Sequence, residues 1–369
     1  MKKIDVKIPG NSYPVYIGNG VFQQVQNLIN KHKLHKNIFI IVDENVFNLH
    51  SDKIDRFISH INSKTYLYSI NATELNKSGS QVADIYSALI ENGFGKDSLI
   101  VAIGGGITGD IAGYAASTFA RGIQIVHVPT TLLAMVDSSI GGKTGINFES
   151  TKNIIGTFYQ PDFVLIDLDF LKTLPEEEIL CGLGEILKYT LLIGGDFQNQ
   201  VNKKYMKILN LDSKFLMEVV LSCVSFKAGI VAQDEKEKSG LRKILNLGHT
   251  FAHAIEVERN HNIKHGQAVI IGLCSALHLS NRLNLLSDKF YKEYLSVLLK
   301  TKSRIQIDIF YPVKIYEIMK RDKKSVNDKI KFVLIQEAGK IILDVEAGMV
   351  DVMNSINTGL HHFAATEQK

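Results

Sequence analysis

Three histidines fall within seventeen positions of one another: His249, His253 and His265. His249 and His253 are four residues apart, so on a helix they share one face, one turn apart. Neutral imidazole is a favoured zinc ligand, and a zinc ion that keeps one open position can do catalysis. Spacing alone makes His249 and His253 the ligand pair, with His265 or a carboxylate as the third donor. The competing reading is a structural pair, since the chain holds 12 histidines. Arg242 and Asn246 stand just upstream and favour a site. The carboxylate that stands out is Glu185, three residues before Lys188 in Gly182-Leu183-Gly184-Glu185-Ile186-Leu187-Lys188-Tyr189. On an exposed helix this would be an ordinary ion pair. The apolar neighbours argue for a buried helix, where charge needs a partner such as a metal or a substrate anion.

A second set of residues suits a nucleotide. Gly104-x-Gly106-x-x-Gly109 follows an apolar run and opens an amphipathic segment. Glycines there let the backbone approach a pyrophosphate, whose charge is held by amides at a helix N-terminus. The plainer reading is a tight strand-to-helix turn. Asp43 ends an earlier apolar run and is a candidate ribose partner, but it precedes the glycines instead of following them. A sheet wound differently from an ordinary dinucleotide fold is therefore expected. Thr130 and Thr131 suit a ribose or a phosphate, and equally a helix cap. Gly142-Lys143-Thr144 resembles the tail of a P-loop, yet position 137 is Asp where that motif needs Gly, which argues against a nucleoside triphosphate. Lys143 and Lys152, near glycine amides, read as an anion site.

The elements that must carry these residues change character along the chain. Residues 37–43, 98–103, 122–129 and 163–167 are short continuous apolar runs, and residues 82–90 have helical spacing. Strands buried on both faces look like this, so an α/β region with a mostly parallel, Rossmann-like sheet is expected. Beyond Thr173-Leu174-Pro175 the apolar spacing becomes three and four over 176–193, 216–231, 250–258, 268–283 and 290–299. The expectation is an α/β domain over 1–172 and a mainly helical, metal- and substrate-binding domain over 173–369, with a small hairpin from 330–335 and 340–343.

Composition narrows the function classes. Of 369 residues, 45% are hydrophobic and 22% charged, which excludes general disorder. A net charge of +4 and no Trp give no case for nucleic acid. No unbroken apolar run reaches the roughly 18 residues of a membrane span, and Met1 to Lys7 lacks the apolar core of a secretory signal. Three scattered cysteines fit a reducing cytoplasm.

Taken together the motifs resemble the 3-dehydroquinate synthases, members of the sugar-phosphate cyclase superfamily. The resemblance rests on an ordered series over about residues 40 to 335: Gly104 to Asp110, Arg121-Gly122, Val128 to Ala134, Val136 to Ser139, Lys143 to Asn147, Lys152-Asn153, Gln160-Pro161, Thr173 to Pro175, Glu185-x-x-Lys188, Asp234-Glu235, Leu245 to Thr250, His265-Gly266 and Asp322 to Lys324. The family usually carries Ala where Gly184 stands, Gly in place of Ala252, Gly in place of Thr73, and His-Pro-x-Gly in place of residues 148–151.

The resemblance implies conversion of 3-deoxy-D-arabino-heptulosonate 7-phosphate to 3-dehydroquinate and phosphate. The steps are NAD-dependent oxidation, phosphate elimination, re-reduction and intramolecular aldol closure. It implies zinc or cobalt on Glu185, His249 and His265, with His253 facing substrate, in place of the pair chosen on spacing. It implies NAD against Asp43, Asn45, Glu74, Lys77, Gly105, Gly106, Ile107, Asp110, Thr130, Thr131, Asp137, Ser138, Lys152, Thr173, Leu174 and Glu178. Substrate would meet Asp137, Lys143, Lys152, Asn153, Lys188, Lys227, Arg242, Asn246 and His253, with Asp137, Lys152, Lys188 and His253 catalytic. Arg121 would reach the phosphate of a neighbouring subunit, which implies a homodimer. The alternatives are another sugar-phosphate cyclase or a metal-dependent dehydrogenase of the glycerol dehydrogenase type. The latter would release NADH stoichiometrically and needs no cluster of lysines and arginine. An NAD-binding sensor would have no need of Glu185, His249 and His265.

Overall fold

The computed structural model describes residues 1–35, 37–149, 151–259, 262–305, 307, 310–322 and 330–364. Packing divides them into two units, Met1–Pro175 with Asn210–Lys236, and Glu176–Leu209 with Glu237–Lys369. A single cut near residue 172 would assign Asn210–Lys236 to the second unit, whereas its packing partners lie in the first.

The first unit begins with β1 (Lys2–Val6), β2 (Tyr13–Gly18), α1 (Val25–Lys31), β3 (Asn37–Asp43), α2 (Glu44–Ser59), β4 (Thr65–Ile70) and α3 (Gly79–Glu91). It continues with β5 (Ser98–Gly104), α4 (Gly106–Thr118), β6 (Gln124–Pro129), a single π turn over Ala134–Ser138, the hairpin β7 (Lys143–Phe148) and β8 (Thr151–Phe158), and β9 (Phe163–Asp167). Seven strands form one sheet in the order β1-β2-β9-β6-β5-β3-β4. All neighbours are parallel except β1 with β2. The chain runs from β3 outward to β4 and then returns to β5 on the other side of β3. In an open α/β sheet, ligands bind at such a reversal, outside the carboxyl ends of the strands. Asp43 ends β3 and Gly104 ends β5. The order differs from an ordinary dinucleotide fold, as the position of Asp43 ahead of the glycines implies.

The four apolar runs are β3, β5, β6 and β9. The five central residues of β3, and every residue of β5 and β9, are buried. Asp43 caps α2 by accepting from the Asn45 and Val46 amides at 2.8 and 3.3 Å, an arrangement that stabilises a helix by about 1 kcal/mol.

The chain enters the second unit with α5 (Glu176–Ile193) and α6 (Gly195–Leu209), and returns to the first with α7 (Ser213–Gln233). The α7 helix packs on β1, β2 and the π turn. It is the one described helix long and apolar enough to cross a membrane, with half of its apolar window buried in the protein. Its apolar spacing is interrupted by Lys227, so no unbroken run betrays it in the sequence. The second unit then adds α8 (His249–Glu258), α9 (His265–Arg282), α10 (Asp288–Leu298), α11 (Pro312–Asp322), the hairpin β10 (Lys331–Glu337) and β11 (Lys340–Glu346), and α12 (Met349–His361). The α9 helix packs against α5, α8, α10 and α12 and is its central element. Lys323 and Lys324 of the motif series lie outside the described residues.

Candidate active site

The metal-type donors gather in the second unit. Glu185 lies in the middle of α5, His249 at the first turn of α8 and His265 at the first turn of α9. Gly248, in the left-handed region at φ 78°, turns the chain into α8, and a β-carbon there would meet the Leu273 amide at 3.0 Å. Glu185 Oε1 lies 3.1 Å from His265 Nε2 and 3.3 Å from His249 Nε2. Tetrahedral ligation with bonds of about 2.0–2.2 Å puts neighbouring donors about 3.4 Å apart. Both carboxylate-to-imidazole distances are close to that spacing, and all three donor atoms lie within 4.8 Å of one another.

The far nitrogens fix the tautomers. His249 Nδ1 donates to the Leu247 carbonyl at 3.2 Å, and His265 Nδ1 donates to Glu256 Oε2 at 3.2 Å. Both partners only accept, so in each neutral ring the Nε2 lone pair faces the Glu185 carboxylate. Three such acceptors at this distance repel one another unless a proton or a cation lies among them. With no ion, protonated His265 answers this: burial opposes its charge, but hydrogen bonds to Glu185 and Glu256 outweigh burial and lift its pKa to about 10. Burial and the Lys188 charge push the His249 pKa down. A divalent cation would satisfy all three donors at once, so the residues present fit such an ion.

Glu185 and Lys188 are buried, at 0% and 1% exposure. Lys188 Nζ pairs with Glu185 Oε2, which leaves Oε1 to the two rings. Burial disfavours the Glu185 carboxylate, yet Lys188 and His249 hold its carboxyl well below the usual range. His253 is on the same face of α8 as His249 and is exposed, with ring centres 5.4 Å apart. The helix pair chosen on spacing is therefore not the converging pair. His249 converges with residues from α5 and α9, and His253 groups with Glu256 and His265. Arg242 is buried with its Nε 3.7 Å from Glu237, while Asn246 is exposed. Glu178 pairs with Lys264 at 2.7 Å.

The nucleotide-type residues gather in the first unit, around the end of β5. One cavity is lined by Gly104, Gly105, Gly106, Asp110, His127, Ser138 and Lys143, among others. β-Carbons on Gly105 and Gly106 would meet Thr131 and Ser138 side chains at 3.0 Å. The buried hydroxyls of Thr130 and Ser138 have no hydrogen-bond partner among the described residues. Glycine backbone at a helix start beside unsatisfied hydroxyls fits a dinucleotide phosphate or ribose. Ile107 follows on the first turn of α4. Lys77 pairs with Asp110 at 2.5 Å and also hydrogen-bonds Asn153. Burial raises the Asp110 carboxyl and Lys77 opposes the rise. Lys152 lies 3.7 Å from Glu74. Lys227 Nζ reaches both the carboxylate and the carbonyl of Asp137 at 2.9 Å. Thr173 bonds His50 at 2.7 Å, and the Leu174 amide closes a turn onto the Leu171 carbonyl. Arg121 is exposed in a left-handed turn, at φ 63°.

Two residues at these sites have no role that the sequence assigns, although Asn147 closes the motif Lys143 to Asn147. Glu256 supports His265, and its signal is an acid three positions after His253 on an apolar helix that also carries Glu258. Asn147 lies in the hairpin and bonds both Glu74 and Asn153.

Comparison with known proteins agrees with the motif series. The sequence model of the 3-dehydroquinate synthase N-terminal region matches residues 67–181, and that of the C-terminal region matches residues 182–325. The 3-dehydroquinate synthase of Alkaliphilus metalliredigens (strain QYMF) is 38% identical over 344 residues, 92% of this chain and 94% of that one. The chain belongs to the 3-dehydroquinate synthase family. A further 3-dehydroquinate synthase, from Leptospira interrogans (strain Fiocruz L1-130), is 42% identical over 321 residues, 87% of this chain and 88% of its own. Among solved structures, 2-deoxy-scyllo-inosose synthase complexed with carbaglucose-6-phosphate, NAD+ and Co2+ superposes with a TM-score of 0.88 at 26% identity, covering 96% of this chain and 99% of that one. As a member of the 3-dehydroquinate synthase family the chain is an enzyme, a lyase acting on a phosphate-bearing substrate.

Proposed function

We propose that the chain converts 3-deoxy-D-arabino-heptulosonate 7-phosphate to 3-dehydroquinate and phosphate, with NAD and zinc or cobalt as cofactors. The observation that carries this is the convergence of Glu185 Oε1, His249 Nε2 and His265 Nε2, in a chain of this family whose glycine turn fits a dinucleotide. When bound, NAD supplies a hydride acceptor that is regenerated within the cycle, and the divalent ion supplies Lewis acidity at the alcohol being oxidised.

The chain's own residues do the rest. Glu185, His249 and His265 hold the ion. Lys188, paired with Glu185, keeps positive charge beside the oxygen that gains negative character. Lys143, Asn153, Asn246 and His253 bind the phosphate, and Lys152 holds charge and helps orient the substrate. Lys227 and Arg242 hold the carboxylate. Asp137 fixes Lys227 through two contacts. Two anionic groups on one substrate account for a larger set of cationic side chains than one ion pair needs. Asp43, Asn45, Glu74, Lys77, Asp110, Thr130, Thr131, Ser138, Thr173, Leu174 and Glu178 bind the dinucleotide. Arg121, exposed, completes the phosphate site of a second copy, which makes the working form a homodimer. The three cysteines are buried and outside any disulfide, which fits a reducing cytoplasm.

The test is incubation with the sugar phosphate, sub-stoichiometric NAD and zinc, following phosphate and dehydroquinate together. Equal release of both over many turnovers per NAD is expected. Stoichiometric NADH with no phosphate would support the dehydrogenase alternative instead.

A further inference from the structure

We propose that Asn147 is a positioning residue that links the dinucleotide side of the first unit to its sugar-phosphate side, so that each ligand tightens the other. The inference rests on the functional reading above.

Asn147 lies on β7, half-buried, and its side-chain amide and backbone N–H all have partners. Its Nδ2 donates to Glu74 Oε1 at 2.8 Å and to the Glu74 carbonyl at 3.2 Å. Its Oδ1 accepts from the Asn153 amide at 2.9 Å. Its own amide donates to the Lys77 carbonyl at 2.8 Å. One residue thus holds Glu74 by its side chain and Lys77 by its backbone on one side, and the backbone of Asn153 on the other. The first two belong to the proposed dinucleotide set and the third to the phosphate set.

The hold on Asn153 matters because that residue sits in the left-handed region, at φ 53°. Asparagine enters this region more readily than most side chains, and hydrogen bonds nearby hold it there. Asn147 Oδ1 supplies one by accepting from the Asn153 amide. Two further contacts run parallel to this one: Lys77 hydrogen-bonds the Asn153 side chain, and Lys152 lies 3.7 Å from Glu74. A ligand that orders Glu74 therefore orders the Asn147 amide, and through it the Asn153 backbone. The second ligand then has less ordering to do. Thermodynamic reciprocity requires the same factor in the other direction. The backbone bond from Asn147 to Lys77 survives any side-chain substitution, so the hairpin keeps its anchor when the linkage is cut.

The experiment uses NADH in place of NAD, which binds but cannot accept a hydride. NADH fluorescence is titrated against the zinc-loaded protein with and without saturating 3-deoxy-D-arabino-heptulosonate 7-phosphate. In the unaltered chain the sugar phosphate should tighten NADH by about five-fold or more, the range typical of coupled sites. In N147A that factor should fall below about two-fold, with the melting temperature kept. N147D sets a carboxylate against Glu74 and should lose the linkage too. Adding E74Q to N147D restores a donor–acceptor pair of reversed polarity and should recover it. A merely structural role would not follow that exchange. An unaltered chain with both ligands bound but no linkage overturns the inference. So does an N147A variant with the full factor, or a double variant no better than N147D. A chain that binds NADH but no sugar phosphate overturns the functional reading as well.

Discussion

Gly184 on α5 and Gly266 on α9 meet backbone to backbone: a β-carbon on Gly184 would lie 2.2 Å from the Gly266 carbonyl oxygen. In the other direction, a β-carbon on Gly266 would lie 1.9 Å from the Cys181 carbonyl oxygen. Each glycine adjoins a metal-type donor, Glu185 in one case and His265 in the other. The close approach of the two helices therefore sets the distance between carboxylate and imidazole.

Gly266→Ala cannot be absorbed by a side-chain rotation, because the opposing wall is backbone. The helices must separate, at a cost of about 1–3 kcal/mol or more for overpacking. The melting temperature should drop, and zinc or cobalt affinity should fall with it. Thermal melts and a chelator competition check this; a variant unchanged in both would show that the contact does not govern the donors.

Glu185→Gln and His265→Ala should both abolish turnover and metal retention on dialysis. They should differ in stability. The glutamine removes the carboxylate that Lys188 pairs with at 1% exposure, and breaking such a buried pair costs about 3–5 kcal/mol. The alanine leaves the Glu185–Lys188 pair intact and should melt closer to the parent. A His265→Ala protein that stays active and metal-loaded would remove His265 from the ligand set.

Glu256→Gln keeps an oxygen against His265 Nδ1 but removes the charge that makes the ring a better donor. Loss of such support weakens metal binding by about 10–100-fold, and the conservative amide should lie at the lower end with alanine beyond it. Titration of the stripped protein with Co2+, followed by its visible absorption, reads this directly. Equal affinities for parent, amide and alanine variants would dismiss the role.

His127 on β6 is buried, and burial holds its pKa at about 4 against an ordinary 6.5. Between those values an unfolded chain binds a proton at this position that the folded chain refuses. Stability therefore falls as pH falls through that window, and is full above it. The contribution lost on going from pH 7 to pH 5 is about 2 kcal/mol. His127→Gln should flatten the melting-temperature profile over that interval relative to the parent. Parallel profiles would mean that the ring titrates normally.

What could be read from the chain follows physical range. Strands β3, β5 and β9 are nearly continuous apolar runs because a parallel strand is covered on both faces, and that constraint is written in consecutive residues. The long helices of the second unit show their buried stripe at spacings of three and four for the same local reason. The hairpin β7–β8 does not show itself, because its exposed residues and glycines look like a loop until the two strands pair. Likewise i,i+4 spacing can nominate only residues on one helix, so it chose His253 as partner for His249. Glu185 and His265 reach His249 from two other helices, and Glu256 and Asn147 act through contacts made across the fold. Local pattern suffices for most of the elements, for the family and for the kinds of chemistry available. Which donors share a point in space is settled by packing, because it depends on how closely helices such as α5 and α9 approach, a distance no local pattern encodes.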